Sequence, residues 1–232
     1  PYLQIDRLEF ILTNHCSGRC RHCSAGGSHT GTVHHVPLEG SVRAVRDLAE
    51  IFPMQSVMPF GGEPLLHPEA VEKIMEAARE LGIPKRQVIT NGYFSKNTDK
   101  IREVAEQLAA CGVNDLLLSV DAFHQDTIPL DVVKQFAVAA KACGIPIRLQ
   151  PAWLVSREDD NPYNRKTKEI LGEFSAMGIP GHDGNVIFPE GNAVKFLAEY
   201  LTGEAPANPY KEDPYDVTRV SFAPNGDVLG GN

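Results

Sequence analysis

Three cysteines lie within eight residues near the start of the chain: Cys16, Cys20 and Cys23, in the spacing Cys-x3-Cys-x2-Cys. Thiolates this close together are suited to a soft metal ion or an iron–sulfur cluster. A closed zinc site or an ordinary cubane cluster takes four protein ligands, so three thiolates leave one metal position open. An open position distinguishes a reactive metal site from a structural one, and the spacing therefore predicts reactive metal chemistry at this loop.

Two other interpretations are compatible with the spacing of these cysteines. A histidine could complete a Cys3His zinc site, and the fourth ligand would then come from His15, His22, His29, His34 or His35. Cys20 and Cys23 also form a Cys-x-x-Cys pair of the kind used in redox disulfides, which leaves Cys16 without a role. Spacing alone does not separate these sites from a cluster, so the decision depends on other parts of the chain.

The composition narrows the class of protein. With 232 residues, of which 42 % are hydrophobic, the chain can bury a full core. Its net charge of −8 argues against general nucleic-acid binding. No apolar run approaches the length of a membrane span, and the N-terminus has no signal-peptide pattern. Clustered cysteines favour a reducing compartment over a disulfide scaffold, and we therefore predict a cytoplasmic protein.

Strand-like and helix-like stretches alternate along the chain, which predicts a parallel α/β fold. Strands are predicted at residues 8–12, 56–60, 87–89, 116–120, 145–150 and 185–188, and helices at 38–51, 68–81, 99–111, 130–143, 165–177 and 193–201. The Pro/Gly-rich stretch 203–214 predicts a linker, and residues 217–223 and 227–229 a small hairpin. We therefore divide the chain into a domain of residues 1–201 and a linker with a small C-terminal extension, 202–232, without taking either end as the natural terminus.

Four motifs together resemble those of the radical S-adenosylmethionine (SAM) enzymes. They are the cysteine motif after the first predicted strand, Gly61-Gly62-Glu63-Pro64, Thr90-Asn91-Gly92 and Ser119-Val120-Asp121, in the family's order within residues 5–190. The resemblance implies a partial (β/α)6 TIM-like barrel. In such folds reactive groups gather at the C-terminal ends of the strands, and all four motifs follow predicted strands. It also implies a [4Fe–4S] cluster held by the three cysteines, whose fourth iron is chelated by SAM.

The resemblance implies several of the residues that bind SAM. His22 stands where the family places an aromatic ring beside the adenine. The loop of Gly61, Gly62 and Glu63 corresponds to the one that holds the methionine amino group. Ser119, and less directly Asp121, correspond to contacts with the ribose or the carboxylate.

Other candidate residues follow from their own chemistry. Asn91 can donate and accept hydrogen bonds at once, and it is either a SAM contact or an ordinary turn residue. Arg148 can pair bidentately with the SAM carboxylate or lie on the surface, and Gln150 shares its strand face. Asp121 and His124 are candidate catalytic residues. His124 is either a proton donor or substrate contact, or a purely structural residue.

Three further features of the sequence carry predictions. The segment 189–192, at the end of the sixth predicted strand, is predicted to close the adenine or substrate side of the cavity. Trp153 and Tyr163 are candidate aromatics on the substrate side. Cys111 and Cys143, at predicted helix ends, are interpreted as packing residues. Because no cysteine follows Cys143, we predict a single cluster unless the natural chain continues past Asn232.

The implied reaction is the reductive cleavage of SAM to methionine and a 5′-deoxyadenosyl radical, which abstracts hydrogen from a substrate. Flavodoxin or ferredoxin is the implied electron donor, and the enzyme would be an oxidoreductase or transferase. A peptide and a small metabolite are comparable substrates, and activation of a glycyl-radical enzyme is less favoured. Two other classes stay open: a single-cluster electron-transfer protein, which does not explain Gly61–Pro64, and a zinc-stabilised binding module, which would be colourless.

Overall fold

The main sheet is parallel, and its strands are separated by helices. The computed structural model describes residues 3–26, 32–201 and 217–230. The first five strands are β1 (Arg7–Ile11), β2 (Ser56–Phe60), β3 (Lys85–Thr90), β4 (Asp115–Leu118) and β5 (Ile147–Leu149). The helices between and after them are α1 (Leu38–Ile51), α2 (Pro68–Glu80), α3 (Thr98–Cys111), α4 (Ala122–Gln125), α5 (Leu130–Ala142) and α6 (Pro162–Ala176). Parallel pairing between consecutive strands brings their C-terminal ends to one edge of the sheet.

The predicted C-terminal hairpin forms, and it joins the main sheet. Its strands β8 (Arg219–Phe222) and β9 (Val228–Gly230) pair antiparallel, and β8 pairs parallel with β1. The seven strands therefore run in the order β5-β4-β3-β2-β1-β8-β9. The predicted linker 203–214 lies outside the described residues, and the division of the chain at residue 201 stays a prediction.

The sixth strand of the predicted barrel lies beyond β5. The short strands β6 (Ala152–Trp153) and β7 (Asn185–Val186) pair parallel, and a bridge between Leu149 and Gly181 connects this pair to β5. The Ile187 N–H donates to the Trp153 carbonyl at 2.9 Å, which extends the pairing past β7. The open barrel thus consists of the seven-stranded sheet and the β6–β7 pair, joined by this bridge.

Successive side chains of β1 point to opposite faces of the sheet, so its apolar and polar side chains lie on different faces. Leu8 and Phe10 of β1 are fully buried in the core that the helices cover, together with Val57, Val88 and Leu116 of the next three strands. Residues of β1 that point the other way, Arg7 and Glu9, contact polar side chains of neighbouring strands. The core therefore lies between sheet and helices, and the polar side chains of β1 lie on the opposite face of the sheet.

The structure corrects two predicted helices. α6 begins at Pro162 and not at residue 165, because the Asn161 side chain accepts from the Asn164 N–H and proline occupies the first turn. The last predicted helix, 193–201, is only the five-residue α7 (Asn192–Phe196). Within the described ranges, no helix is long and apolar enough to cross a membrane.

Candidate active site

A cavity of about 310 Å³ opens where the strands of the main sheet end, and it is lined by residues of all four motifs. This volume lies at the lower end of the range for ligand sites. The predicted site residues that line it are Cys16, Cys20, Cys23, His22, Gly61, Gly62, Asn91, Ser119, His124 and Gln150. Glu63, Asp121 and Arg148 are not among the lining residues. The fold therefore brings together most, but not all, of the residues that the sequence singled out.

The cysteine loop is held by backbone and side-chain contacts from the segment 189–192. Asn192 donates its backbone N–H to the Cys23 carbonyl at 2.9 Å and its amide Nδ2 to the Cys20 carbonyl at 3.0 Å. Gly191 lies so close that an added Cβ would come within 2.2 Å of the Ser24 carbonyl oxygen. This segment thus holds the cysteine loop in place, but its residues do not line the cavity, and its predicted role in closing the cavity stays a prediction.

The three thiols line the cavity, and the surroundings of Cys16 and Cys20 disfavour bare thiolates. Burial raises the pKa of Cys16 to about 11. Burial and the nearby Asp121 carboxylate raise the pKa of Cys20 well above its usual range. A bound metal centre would supply the positive charge that stabilises the thiolates. Among the described lining residues there is no fourth cysteine, so the donor set fits a cluster with three thiolate ligands and an open position.

The Gly61–Gly62 turn lies against the cysteine loop. Both glycines have positive φ angles, 80° and 51°. The next backbone N–H, that of Glu63, donates to the His15 carbonyl at 2.8 Å. Backbone at this turn is therefore exposed to the cavity on one side and fixed to the residue before Cys16 on the other.

Glu63 is fully buried behind the cavity wall, where it connects the ends of β2 and β3. Its Oε1 accepts from the Leu65 N–H at 2.9 Å and from the Thr90 hydroxyl at 2.6 Å, and its Oε2 accepts from the Asn91 N–H at 2.7 Å. Burial raises the pKa of this carboxyl to about 7, although the three hydrogen bonds oppose the shift. In this structure its oxygens are engaged by protein donors.

Asp121 and His124 form a buried pair at the start of α4. Asp121 Oδ1 accepts from the N–H groups of Phe123 and His124, and its Oδ2 accepts from the Ala152 N–H and lies 2.7 Å from His124 Nδ1. Burial by itself would raise the pKa of Asp121 and lower that of His124. Their mutual attraction outweighs burial, so the pKa of Asp121 is lowered and that of His124 is raised. Asp121 therefore orients His124, and it is His124 that reaches the cavity.

His22 is a neutral ring beside this pair. Its ring centroid lies 4.7 Å from that of His124 and 5.2 Å from that of Phe123. Burial and the His124 charge lower its pKa to about 4. Its Nδ1 is buried and has no hydrogen-bond partner among the described residues. A bound molecule could satisfy this atom, which is consistent with a ligand in the cavity.

We expect the Asp121–His124 pair to give the cluster-free protein a pH-dependent stability. The raised pKa of His124 means that its contribution is complete below about pH 6.5 and is lost as the pH rises through the folded-state value. In His124→Asn, the amide still donates to Asp121 but carries no charge. Urea denaturation between pH 5.5 and 8.5 should show wild type losing more stability towards high pH than the variant. Parallel curves for the two proteins would contradict the ion pair.

Arg148 lies in a polar layer that crosses the concave face of the sheet. Its Nε and Nη2 donate to the two carboxylate oxygens of Asp115 at 2.9 and 2.6 Å. Gln87 donates to Asp115 at 2.7 Å and accepts from Arg7 at 2.6 Å. The guanidinium is thus engaged in a bidentate pair that does not line the cavity.

Several lining residues were not identified from the sequence. Ile89, Pro151, Ala152 and residues 185–188 carry no reactive group, and only their position at strand ends could have indicated them. The candidate aromatics are elsewhere: Trp153 is buried with its Nε1 donating to the Asp183 carbonyl, and Tyr163 stacks on Phe123. Cys111 and Cys143 do not line the cavity, as predicted for packing residues.

The chain matches a family model described as the radical SAM superfamily over residues 10–193. Among curated relatives, GTP 3′,8-cyclase of Microcystis aeruginosa is 30 % identical over 127 residues, which cover 53 % of this chain and 37 % of that protein. The 7,8-dihydro-6-hydroxymethylpterin dimethyltransferase of Methanocaldococcus jannaschii is 28 % identical over 115 residues, covering 49 % of this chain and 22 % of that protein. The matched regions thus span only a minor part of these relatives.

Solved structures show the same fold. SuiB of Streptococcus suis, bound to S-adenosylmethionine, superposes with a TM-score of 0.58 at 16 % identity, covering 97 % of this chain and 60 % of that chain. HydG, a maturase of the [FeFe]-hydrogenase, superposes with a TM-score of 0.61 at 16 % identity, covering 86 % of this chain and 47 % of that chain. These likenesses confirm the predicted partial barrel.

Proposed function

Because this chain belongs to the radical SAM superfamily, we propose that it binds a [4Fe–4S] cluster through Cys16, Cys20 and Cys23 and cleaves SAM to initiate a radical reaction. Membership of the superfamily implies both cofactors. When bound and reduced, the cluster would supply one electron to SAM, giving methionine and a 5′-deoxyadenosyl radical that takes a hydrogen atom from substrate. The observation that carries the proposal is the convergence of the three thiols, the Gly61–Gly62 turn and three polar strand-end side chains on one cavity.

The chain's own residues would bind and orient the cofactors. The exposed backbone at Gly61 and Gly62 would receive the amino group of SAM, next to the open metal position. Ser119 and Gln150 lie at adjacent strand ends. The Ser119 N–H donates to the Thr90 carbonyl and the Gln150 N–H to the Leu118 carbonyl, each at 2.8 Å. The side chains of both residues would contact the ribose or the carboxylate of SAM. His22, a neutral ring, would lie against the adenine. Glu63 would act from behind the wall by holding Thr90 and Asn91 in place.

The substrate would approach over the wall formed by residues 185–188. Val186 and Phe188 are 49 % and 62 % exposed at the cavity mouth, and Ile187 is buried beside them. Such an apolar wall suits the organic part of either a peptide or a small metabolite. His124, oriented by Asp121, would face the reacting molecules as a proton donor or a polar contact. We assign an oxygen-sensitive site of this kind to the cytoplasm, where flavodoxin or ferredoxin would supply the electron.

The test of this function is SAM cleavage by the anaerobically reconstituted protein. The chain should be brown and should convert SAM to 5′-deoxyadenosine when dithionite is added, as read by mass spectrometry. A cluster without SAM cleavage would instead indicate a single-cluster electron carrier. A colourless protein that retains zinc would indicate a binding module and would refute the enzymatic function.

A further inference from the structure

The side-chain amide of Asn91 is held in one orientation at the end of β3. Its Oδ1 accepts from the Tyr93 N–H at 2.8 Å, and its backbone N–H donates to Glu63 Oε2 at 2.7 Å. If the amide were flipped, its NH2 group would face the Tyr93 N–H and two donors would oppose each other. The NH2 group therefore points away from Tyr93, towards the cysteine loop.

That NH2 group reaches the sulfur of a predicted cluster ligand. Asn91 Nδ2 lies 3.6 Å from Cys16 Sγ and 3.2 Å from the Ser17 hydroxyl oxygen. The Gly18 N–H donates to the same sulfur at 3.3 Å. Asn91 is only 6 % exposed, so its dipole acts on the sulfur in surroundings less polar than bulk water. Cys16 Sγ thus receives one backbone and one side-chain N–H.

We propose that Asn91 is a positioning residue that raises the reduction potential of the cluster through its hydrogen bond to Cys16 Sγ. The inference rests on the proposed function, since it requires the cluster to be bound. One-electron reduction adds a negative charge that is shared by the thiolate sulfurs. An N–H donor stabilises the more negative state more strongly, and hydrogen bonds to sulfur are among the factors that set cluster potentials. No proton moves and no bond breaks in this step.

The structure also explains why this donor is reliably in place. Glu63 holds the Asn91 backbone, and Glu63 is itself fixed by Leu65 and Thr90. The contact therefore couples the Gly61–Pro64 motif to the cysteine motif through a single asparagine. On this account the Gly61–Pro64 motif, acting through Asn91, influences the reduction potential of the cluster that the cysteine motif binds.

The experiment is an EPR-monitored redox titration of the reconstituted protein without SAM, which removes any effect of Asn91 on SAM binding. Asn91→Leu removes the donor at similar size. Asn91→Asp keeps an oxygen for the Tyr93 N–H but places a carboxylate beside the sulfur. At the midpoint potential of wild type, we expect the ratio of reduced to oxidised cluster to fall severalfold in Asn91→Leu. In Asn91→Asp we expect a fall of about tenfold or more, which corresponds to about 59 mV for one electron.

Ser17→Ala is the matched control, because it removes the hydroxyl beside the amide and leaves the N–H to Cys16 in place. Its potential should equal that of wild type, and all variants should hold the same iron per chain. If Asn91→Leu and Asn91→Asp titrate like wild type while wild type cleaves SAM, the inference is overturned and the proposed function stands. Weaker SAM binding with an unchanged potential would likewise overturn it, because Asn91 would then act on SAM. A wild-type protein that takes up no cluster would overturn the proposed function itself.

Discussion

Replacing Cys20 by alanine is expected to abolish both the visible absorbance of the reconstituted protein and its production of 5′-deoxyadenosine. Cys20 is the most buried of the three motif cysteines, and its carbonyl is held by Asn192. Removing its thiol leaves two thiolates, too few to hold the cluster with only one iron open. Iron content, visible absorption and product formation should all fall to background.

Cys143→Ala provides the control for this experiment. Cys143 is a half-buried free cysteine at the end of α5, and it does not line the cavity. The variant should keep the iron content and activity of wild type. Undiminished activity in Cys20→Ala would refute the assignment of the cluster to this motif, whatever the control shows.

Gly62→Ala is expected to remove most of the SAM-cleaving activity, with a loss of stability beyond that of an ordinary glycine substitution. An added Cβ would lie 2.2 Å from the His15 carbonyl oxygen and 2.7 Å from that of Thr13. Both neighbours are backbone, so the strain cannot be relieved by rotating a side chain. The cysteine loop or the Gly61–Gly62 turn must move, and each contributes to the cavity.

Gly82→Ala separates this clash from the cost of a positive φ angle. Gly82 has φ 70°, but an added Cβ there meets no atom within 4 Å. Its free energy of unfolding should fall by only about 1–2 kcal/mol, the usual cost of the left-handed region for an L residue, and its activity should not change. Urea denaturation, iron content and 5′-deoxyadenosine formation compare the two variants. Equal losses in both would contradict the close contact between the turn and the cysteine loop.

Much of the fold could be predicted because local signals agree with the final structure. The apolar run of β2 is bounded by polar residues and Gly61, so its predicted and observed limits coincide at Ser56–Phe60. The start of α1 at Leu38 also agrees. Predictions failed where a helix start depended on a cap, as at Asn161, or where a predicted helix was too long, as at α7.

The amino-acid sequence by itself indicated the family of this protein, because the spacing of three cysteines and the motifs at three later strand ends together resemble those of radical SAM enzymes. It also determined where those motifs lie, since apolar periodicity sets the strands that carry them. Only the tertiary structure decided which side chains face the cavity. Glu63 turns to Thr90 and Asn91, Asp121 turns to His124, and Arg148 turns to Asp115. A buried charge needs partners, and these partners come from other turns and strands whose positions are set by folding.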